Sequence, residues 1–352
     1  MSKIAIYGIG EFGKLFYESL NKNIDYFVDN YSEKKSYDGV DIIKQEQLPK
    51  DTLIYISVLQ HSKNIEHSLK ENGFLNIVNF TDSVQQLPKF LDLVSKKNYL
   101  WFSENKTNML DYNKIEDLKT LLKDKKSKDI VDKMVLLRKT LDSKYYIIPS
   151  GTEYFPLDVP ILENLKQINF IDCGAYNGDT IEELMRQNKN VGYTLSFEPD
   201  ENNILKLNNT LEKIKNKFKH TNFLMYPVGV YSSNTILRFS NSGVDSSACF
   251  SNSSDIQVPV VALDSVLLSS APNFIKMDIE GAEKEALLGA RKTIKKYKPN
   301  LAICLYHKPQ DLWDLPLLIN QIEPSYDMYI RVHEDMCLST VLYCIPRKVS
   351  YV

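Results

Sequence analysis

Cysteine is scarce in this chain and never paired in sequence. Cys173, Cys249, Cys304, Cys337 and Cys344 are the five among 352 residues, with no C-x-x-C between them. That spacing writes neither a disulfide framework nor a zinc site. A reduced, disulfide-free, cytoplasmic protein is the expectation. No apolar run approaches the ~18 residues that cross a bilayer. Met1-Ser2-Lys3 leads straight into a short strand, so neither membrane insertion nor a signal peptide is expected. Neither sign of charge is in excess: 43 Lys and Arg against 45 Asp and Glu leave a net −2, without the basic footprint of a nucleic-acid binder. The lysine-rich stretch 123–129 is interspersed with acids and reads as a solvated turn between helices. Internal repeats and low-complexity tracts are also missing. What is present is ordinary globular composition, 43% hydrophobic and 25% charged, with length enough for two cores.

Strand and helix patterns alternate over 1–82: strands at 4–7, 24–28, 53–57 and 77–79, helices at 11–21 and 63–72. Alternation of this kind predicts a parallel sheet with helices on its faces. Gly8, Gly10 and Gly13 fill the first strand-to-helix turn as G-x-G-x-x-G, and Asp29 stands at the tip of the next strand. This is a small Rossmann-like domain for a nucleotide or nucleotide-sugar, or an inherited fold whose turn serves assembly. From 83 to 166 the pattern is helical, with Ile115, Leu118 and Leu122, then Ile130, Met134, Leu137 and Leu141, at three- and four-residue spacing. It reads as a helical connector that packs on the second domain or forms a homodimer contact. The domain at 167–352 alternates again and closes on an antiparallel pair at 327–333 and 340–345, with a β insertion within 221–261.

The most informative run is Phe170-Ile171-Asp172-Cys173-Gly174-Ala175-Tyr176-Asn177-Gly178-Asp179-Thr180. An apolar strand ends in an acid, and glycines open a turn where backbone passes close to a ligand at the sheet's carboxyl edge. The next strand ends in Glu198-Pro199-Asp200, an acid placed for ribose hydroxyls. D-x-G-x-x-x-G followed by strand and acid resembles the S-adenosylmethionine (SAM) site of class I methyltransferases. Phe274-Ile275-Lys276-Met277-Asp278-Ile279-Glu280-Gly281-Ala282-Glu283 comes next, then the strand and turn from Leu301 through Tyr306-His307-Lys308 to Trp313 and Pro316. With Glu153-Tyr154-Phe155-Pro156 upstream, these motifs in this order are similar to the FkbM family of methyltransferases, over roughly residue 114 to the end.

That resemblance implies a seven-stranded mixed sheet and SAM as cofactor, held by Asp172, Gly174, Ala175, Tyr176, Asn177, Gly178, Asp179, Thr180, Glu198 and Pro199. It also implies methylation of sugar or polyketide hydroxyls. M-D-I-E-G replaces the N-P-P-Y type of sequence that often serves base N-methylation. Asp278 and His307, at the ends of the fourth and fifth strands, are the expected catalytic groups. A sugar hydroxyl is a weak acid, and an imidazole of ordinary pKa, ~6.5, suits a base at neutral pH. Glu280, Lys308, Tyr154 and Trp313 are candidate substrate contacts, Glu280 equally a helix-capping acid and each aromatic, taken alone, more often a core residue than an acceptor contact. No metal is expected. The expected activity is O-methylation of a carbohydrate hydroxyl, on a nucleotide-sugar or a capsule or lipopolysaccharide precursor. Its rivals are a non-catalytic nucleotide-binding scaffold or sensor and a nicotinamide-dependent oxidoreductase built on the first domain.

Overall fold

The computed structural model describes residues 3–97, 99, 102, 110–187, 189–241, 248–250, 256–267 and 271–347. Its contacts divide the chain into two compact units, Met1–Met109 with Asp132–Pro149, and Leu110–Val131 with Ser150–Val352.

In the first unit, β1 (Ile4–Tyr7), α1 (Glu11–Ser19), β2 (Tyr26–Val28), β3 (Ser36–Tyr37), β4 (Val40–Ile43), β5 (Leu53–Ile56), α2 (Ser62–Glu71), β6 (Ile77–Val78), α3 (Phe80–Gln86) and α4 (Phe90–Lys96) follow in order. The sheet runs β3-β4-β2-β1-β5-β6, parallel except for the β3–β4 hairpin. The hairpin is an addition to the expected elements. Asp38 (φ 51°) and Gly39 (φ 82°) both take the left-handed conformation a two-residue turn needs, and Asp-Gly is its usual pair. Ala5, Val28, Ile54, Ile56, Leu69 and Phe74 form a core between sheet and helix.

The second unit carries α5 (Tyr112–Leu121), and the boundary between units falls inside α6 (Lys125–Thr140). The segment 83–166 is therefore not one connector as expected; its helices are shared between the two units, and 103–109 lies outside the described residues. The apolar stripe explains part of this: Ile115 and Leu118 are buried where α5 packs on α12 (Asp311–Ile322). α12 stands where a strand and a turn are expected, because Pro316 inside it breaks the helical pattern.

Between these lie β7 (Ile168–Cys173), α7 (Asp179–Arg186), β8 (Val191–Phe197), α8 (Glu201–Lys215) and β9 (Asn222–Tyr226). A small sheet follows from β10 (Gly229–Val230), β11 (Thr235–Asn241), β12 (Ala248–Phe250) and β13 (Ile256–Val261), in the order β10-β13-β11-β12, within the expected β insertion. Then come α9 (Leu263–Val266), β14 (Phe274–Met277), α10 (Glu283–Gly289), α11 (Arg291–Tyr297), β15 (Asn300–Cys304), β16 (Tyr326–Val332) and β17 (Thr340–Pro346). The main sheet has seven strands in the order β16-β17-β15-β14-β7-β8-β9. β15-β14-β7-β8-β9 are parallel and β17 runs antiparallel to both its neighbours, β15 and β16, the expected mixed sheet. Phe170, Phe274, Ile181, Leu184, Leu207 and Tyr343 are among the residues of its core. Removing one such ring costs about 3–5 kcal/mol, because the cavity collapses only in part. Among the described residues no helix is long and apolar enough to cross a membrane.

Candidate active site

The carboxyl edge of the parallel strands gathers the expected residues of the second unit. β7 ends at Cys173, and Gly174 (φ 80°) turns the chain. A methyl on Gly174 would lie 1.8 Å from the Asp278 carbonyl oxygen, so only glycine lets the two strand tips touch. Gly174 and Ala175 donate their N–H groups to the Phe197 carbonyl. Gly178 (φ 86°) caps α7, with Leu207 and Thr210 3.0 Å from where a side chain would start. Asn177 Oδ1 accepts from the Asp179 N–H at 3.1 Å, and Asp179 Oδ1 from the Thr180 N–H at 2.7 Å.

Glu198 is 5% exposed and tightens this turn: Oε2 accepts from the Tyr176 N–H at 2.8 Å, Oε1 from the Asp200 N–H at 2.9 Å across Pro199. An ionised carboxylate has about four acceptor positions. Capacity therefore remains for a ligand hydroxyl even with the Asn203 side chain as a further donor.

Asp172 lies at the end of β7, beside the turn. It is fully buried, one layer beneath the turn, with Lys276 Nζ 3.1 Å from Oδ1. The two are register partners on β7 and β14. Lys276 also donates to the Gly174 carbonyl at 2.5 Å. Burial pushes the Asp172 carboxyl up to about 6 against the pull of the ammonium, and neighbouring acids hold Lys276 protonated despite burial. The pair supports the turn from below, the Lys276 ammonium bridging the Asp172 carboxylate and the Gly174 carbonyl.

Beside the turn stands a carboxylate cluster. Asp278 Oδ2 accepts from the Tyr154 hydroxyl at 2.8 Å and Oδ1 from the Tyr306 hydroxyl at 3.1 Å. His307 packs among three acids: Nδ1 is 2.9 Å from Glu283 Oε1, and Nε2 is 3.4 Å from Asp278 Oδ1 and 3.5 Å from Glu280 Oε2. Burial disfavours the charged ring, but Glu283, Asp278 and Glu280 outweigh it and raise His307 to about 10. An imidazole held protonated at neutral pH suits a fixed cation among these acids rather than the base expected of it. Asp278 is half-buried, and Lys276, His307 and the two tyrosine hydroxyls outweigh the cost of desolvation and hold its carboxyl below the usual range. Burial and the Asp278 and Glu283 charges raise Glu280 to about 7, opposed by His307 and Lys276. Glu153 is raised to about 7 by burial and Asp278, opposed by the Ser339 hydroxyl. Tyr154 (φ 60°), Tyr176 (φ 47°) and Glu280 (φ 55°) all take the left-handed backbone, a costly conformation that concentrates at functional sites.

Of the candidate substrate contacts, Tyr154 is here as a buried hydroxyl donor rather than an open ring face. Lys308 is exposed, its ammonium on the Gly281 carbonyl. Trp313 is 4% exposed inside α12 and presents no face to an acceptor, which corrects that expectation. Three contributors were missed. Lys276 signals itself as a lone cation in an apolar strand, which must find a buried partner. Glu283 signals itself as an acid in the first turn of α10, where it accepts from the Ile279 N–H at 2.9 Å. Glu153 carries no distinguishing spacing. Asp278, Glu283 and His307 bring metal-ligand atom types within 4.8 Å, as do Glu153, Asp278 and Cys304. In the first group both ring nitrogens already face carboxylates, so the imidazolium supplies the positive charge that balances the acids.

In the first unit, Asp29 Oδ2 accepts from the Ile9 N–H at 3.3 Å, inside the turn that Gly8, Gly10 and Gly13 build. The same arrangement of turn and acid thus occurs in both units.

A parallel sheet with glycine turns and an acid cluster at its carboxyl edge defines an α/β protein of the methyltransferase class. Residues 172–331 match the model of the methyltransferase FkbM domain, and the chain carries that domain. Methyltransferases of this family use SAM as the methyl donor. Among solved structures the chain is similar to methyltransferase FkbM from Methylobacillus flagellatus KT (22% identity, 98% of this chain and 90% of that one covered, TM-score 0.65). Weaker likenesses are an rRNA methylase from Streptococcus thermophilus (13%, 52% and 87%, TM-score 0.34) and fibrillarin from Aeropyrum pernix (7%, 54% and 70%, TM-score 0.31). A sequence comparison with curated proteins finds no match.

Proposed function

We propose that this methyltransferase is an O-methyltransferase acting on a carbohydrate hydroxyl, carried by a nucleotide-sugar or a surface-glycan precursor. The observation that carries the reading is the carboxylate cluster of Asp278, Glu280 and Glu283 around His307, directly against the Gly174 turn. The Gly174–Thr180 turn and Glu198 would hold the cofactor, the remaining lone pairs of Glu198 accepting from ribose hydroxyls. Bound SAM supplies an electrophilic methyl group on a sulfonium. Asp278, fixed by two phenol hydroxyls, would orient the acceptor, and His307 would hold the acid loop through its ion pairs. For the first unit we propose a nucleotide diphosphate at the Gly8, Gly10 and Gly13 turn, with Asp29 toward its ribose. Incubation of the full chain with SAM and a panel of UDP- and GDP-hexoses, followed by mass spectrometry, tests the main reading. A 14-dalton gain on a sugar is the expected result. Methylation of amines only would overturn it.

A further inference from the structure

Three carboxylates surround His307, and they differ in what else they hold. Glu283 is 1% exposed, so it is closed to an acceptor, and its Oε1 holds the Ile279 N–H, the Gly281 N–H and His307 Nδ1. Asp278 takes hydroxyl hydrogen bonds on both oxygens. Glu280 is different: its side chain is 33% exposed, and its one contact among the described residues is His307 Nε2 at 3.5 Å. Its backbone is held left-handed (φ 55°) next to Gly281 (φ 90°), at the edge that the Gly174 turn shares. A carboxylate with few donors keeps its lone pairs available and its basicity high.

We infer that Glu280 is the proton acceptor of the transfer step, with His307 remaining a fixed imidazolium beside it. The inference rests on the O-methyl transfer reading above. The acceptor oxygen forms the new C–O bond as the C–S bond of the donor breaks, its electron pair staying on sulfur. The hydroxyl proton passes to Glu280 Oε, which later releases it to water. Taking that proton relieves the repulsion between Glu280 and the Asp278 and Glu283 charges, while His307 and Lys276 oppose it only in part. A Glu280 carboxyl near 7 is half ionised at neutral pH, where a base accepts most effectively. Glu153, the other carboxyl raised to that range, takes a hydrogen bond from the Ser339 hydroxyl.

The test uses Glu280→Gln in the full chain, with SAM and the same UDP- and GDP-hexose panel. Calorimetry with S-adenosylhomocysteine (SAH) should give wild-type affinity, while kcat falls ~10²–10⁴-fold. The wild-type rate should rise through pH ~7 as Glu280 ionises, and the variant should lose that acid limb. The second readout needs no acceptor: infrared difference spectra of SAH-bound wild type against the variant should show one carboxyl titrating near pH 7. A variant within a few-fold of wild type, or one keeping the acid limb, overturns the role of Glu280 and leaves O-methyl transfer standing. If no panel sugar is methylated by the wild type, the sugar reading fails instead. Glu280 is then judged by the infrared titration, and a carboxyl still ionised at pH 5 overturns the assignment.

Discussion

The chain builds a strand–glycine turn–helix junction twice, and only one of the two is armed. In the first, Gly8 (φ 101°) and Gly10 open α1, and Asp29 accepts from the Ile9, Tyr31 and Ser32 N–H groups. In the second, Gly174 and Gly178 open α7, and Glu198 accepts from the Tyr176 and Asp200 N–H groups. The acid ties down backbone in both. What differs is the tip of the strand alongside. Gly8 meets Val58 and the Ser57 hydroxyl, whereas Gly174 meets the Asp278 carbonyl, and with it Glu280, Glu283 and His307. Turn geometry comes with the fold; the chemistry comes from the neighbouring strand.

The largest expected effect tests the buried charge under the second turn. Lys276→Met leaves the fully buried Asp172 unpaired and should destabilise the second unit by about 3–5 kcal/mol in urea unfolding. Adding Asp172→Asn should recover most of that loss. A cost below ~1 kcal/mol for the single variant would mean that the pair does not distinguish the two turns.

Next in size is a matched pair of glycine substitutions. Gly174→Ala drives a methyl to 1.8 Å from a carbonyl oxygen at positive φ and should cost about 2–5 kcal/mol, with loss of SAH binding by calorimetry. Gly10→Ala meets no atom within 4 Å at a φ of −65°, and its stability should change by less than ~0.5 kcal/mol. Equal effects would erase the contrast.

The smallest separates the two acids. Glu198→Ala should weaken SAH binding by about 1–3 kcal/mol, the cost of stranding its polar partners. Asp29→Ala should leave SAH affinity unchanged and weaken UDP binding measured the same way. Loss of SAH affinity on changing Asp29 would break the division of ligands between the turns.

Much of this was legible in the sequence because period and punctuation agreed. The strand at 4–7, the alternation of strand and helix in both units, the β16–β17 pair and the turn at Gly174 follow from apolar runs closed by glycine and acid. The β3–β4 hairpin and α12 were not, the first for its short strands, the second for Pro316 in its interior. In the site, topology put Asp278, Glu280 and His307 on one edge but not their protonation. That depends on which carboxylates surround the ring, and Glu283 reaches it only because its side chain folds back from α10. The same limit hid Trp313, whose burial depends on a helix the proline concealed.

The contact between Gly174 and the Asp278 carbonyl makes one wall common to the glycine turn, the proposed donor seat, and the acid cluster. The Asp278 N–H, bonded to the Cys173 carbonyl at 3.0 Å, closes the same junction from the other side. Any change that widens the proposed donor seat at this point would displace the carboxylate proposed to face the acceptor. Retooling this chain for bulkier donors would therefore have to begin elsewhere along the turn, at Asn177 or Asp179, where the backbone is not shared.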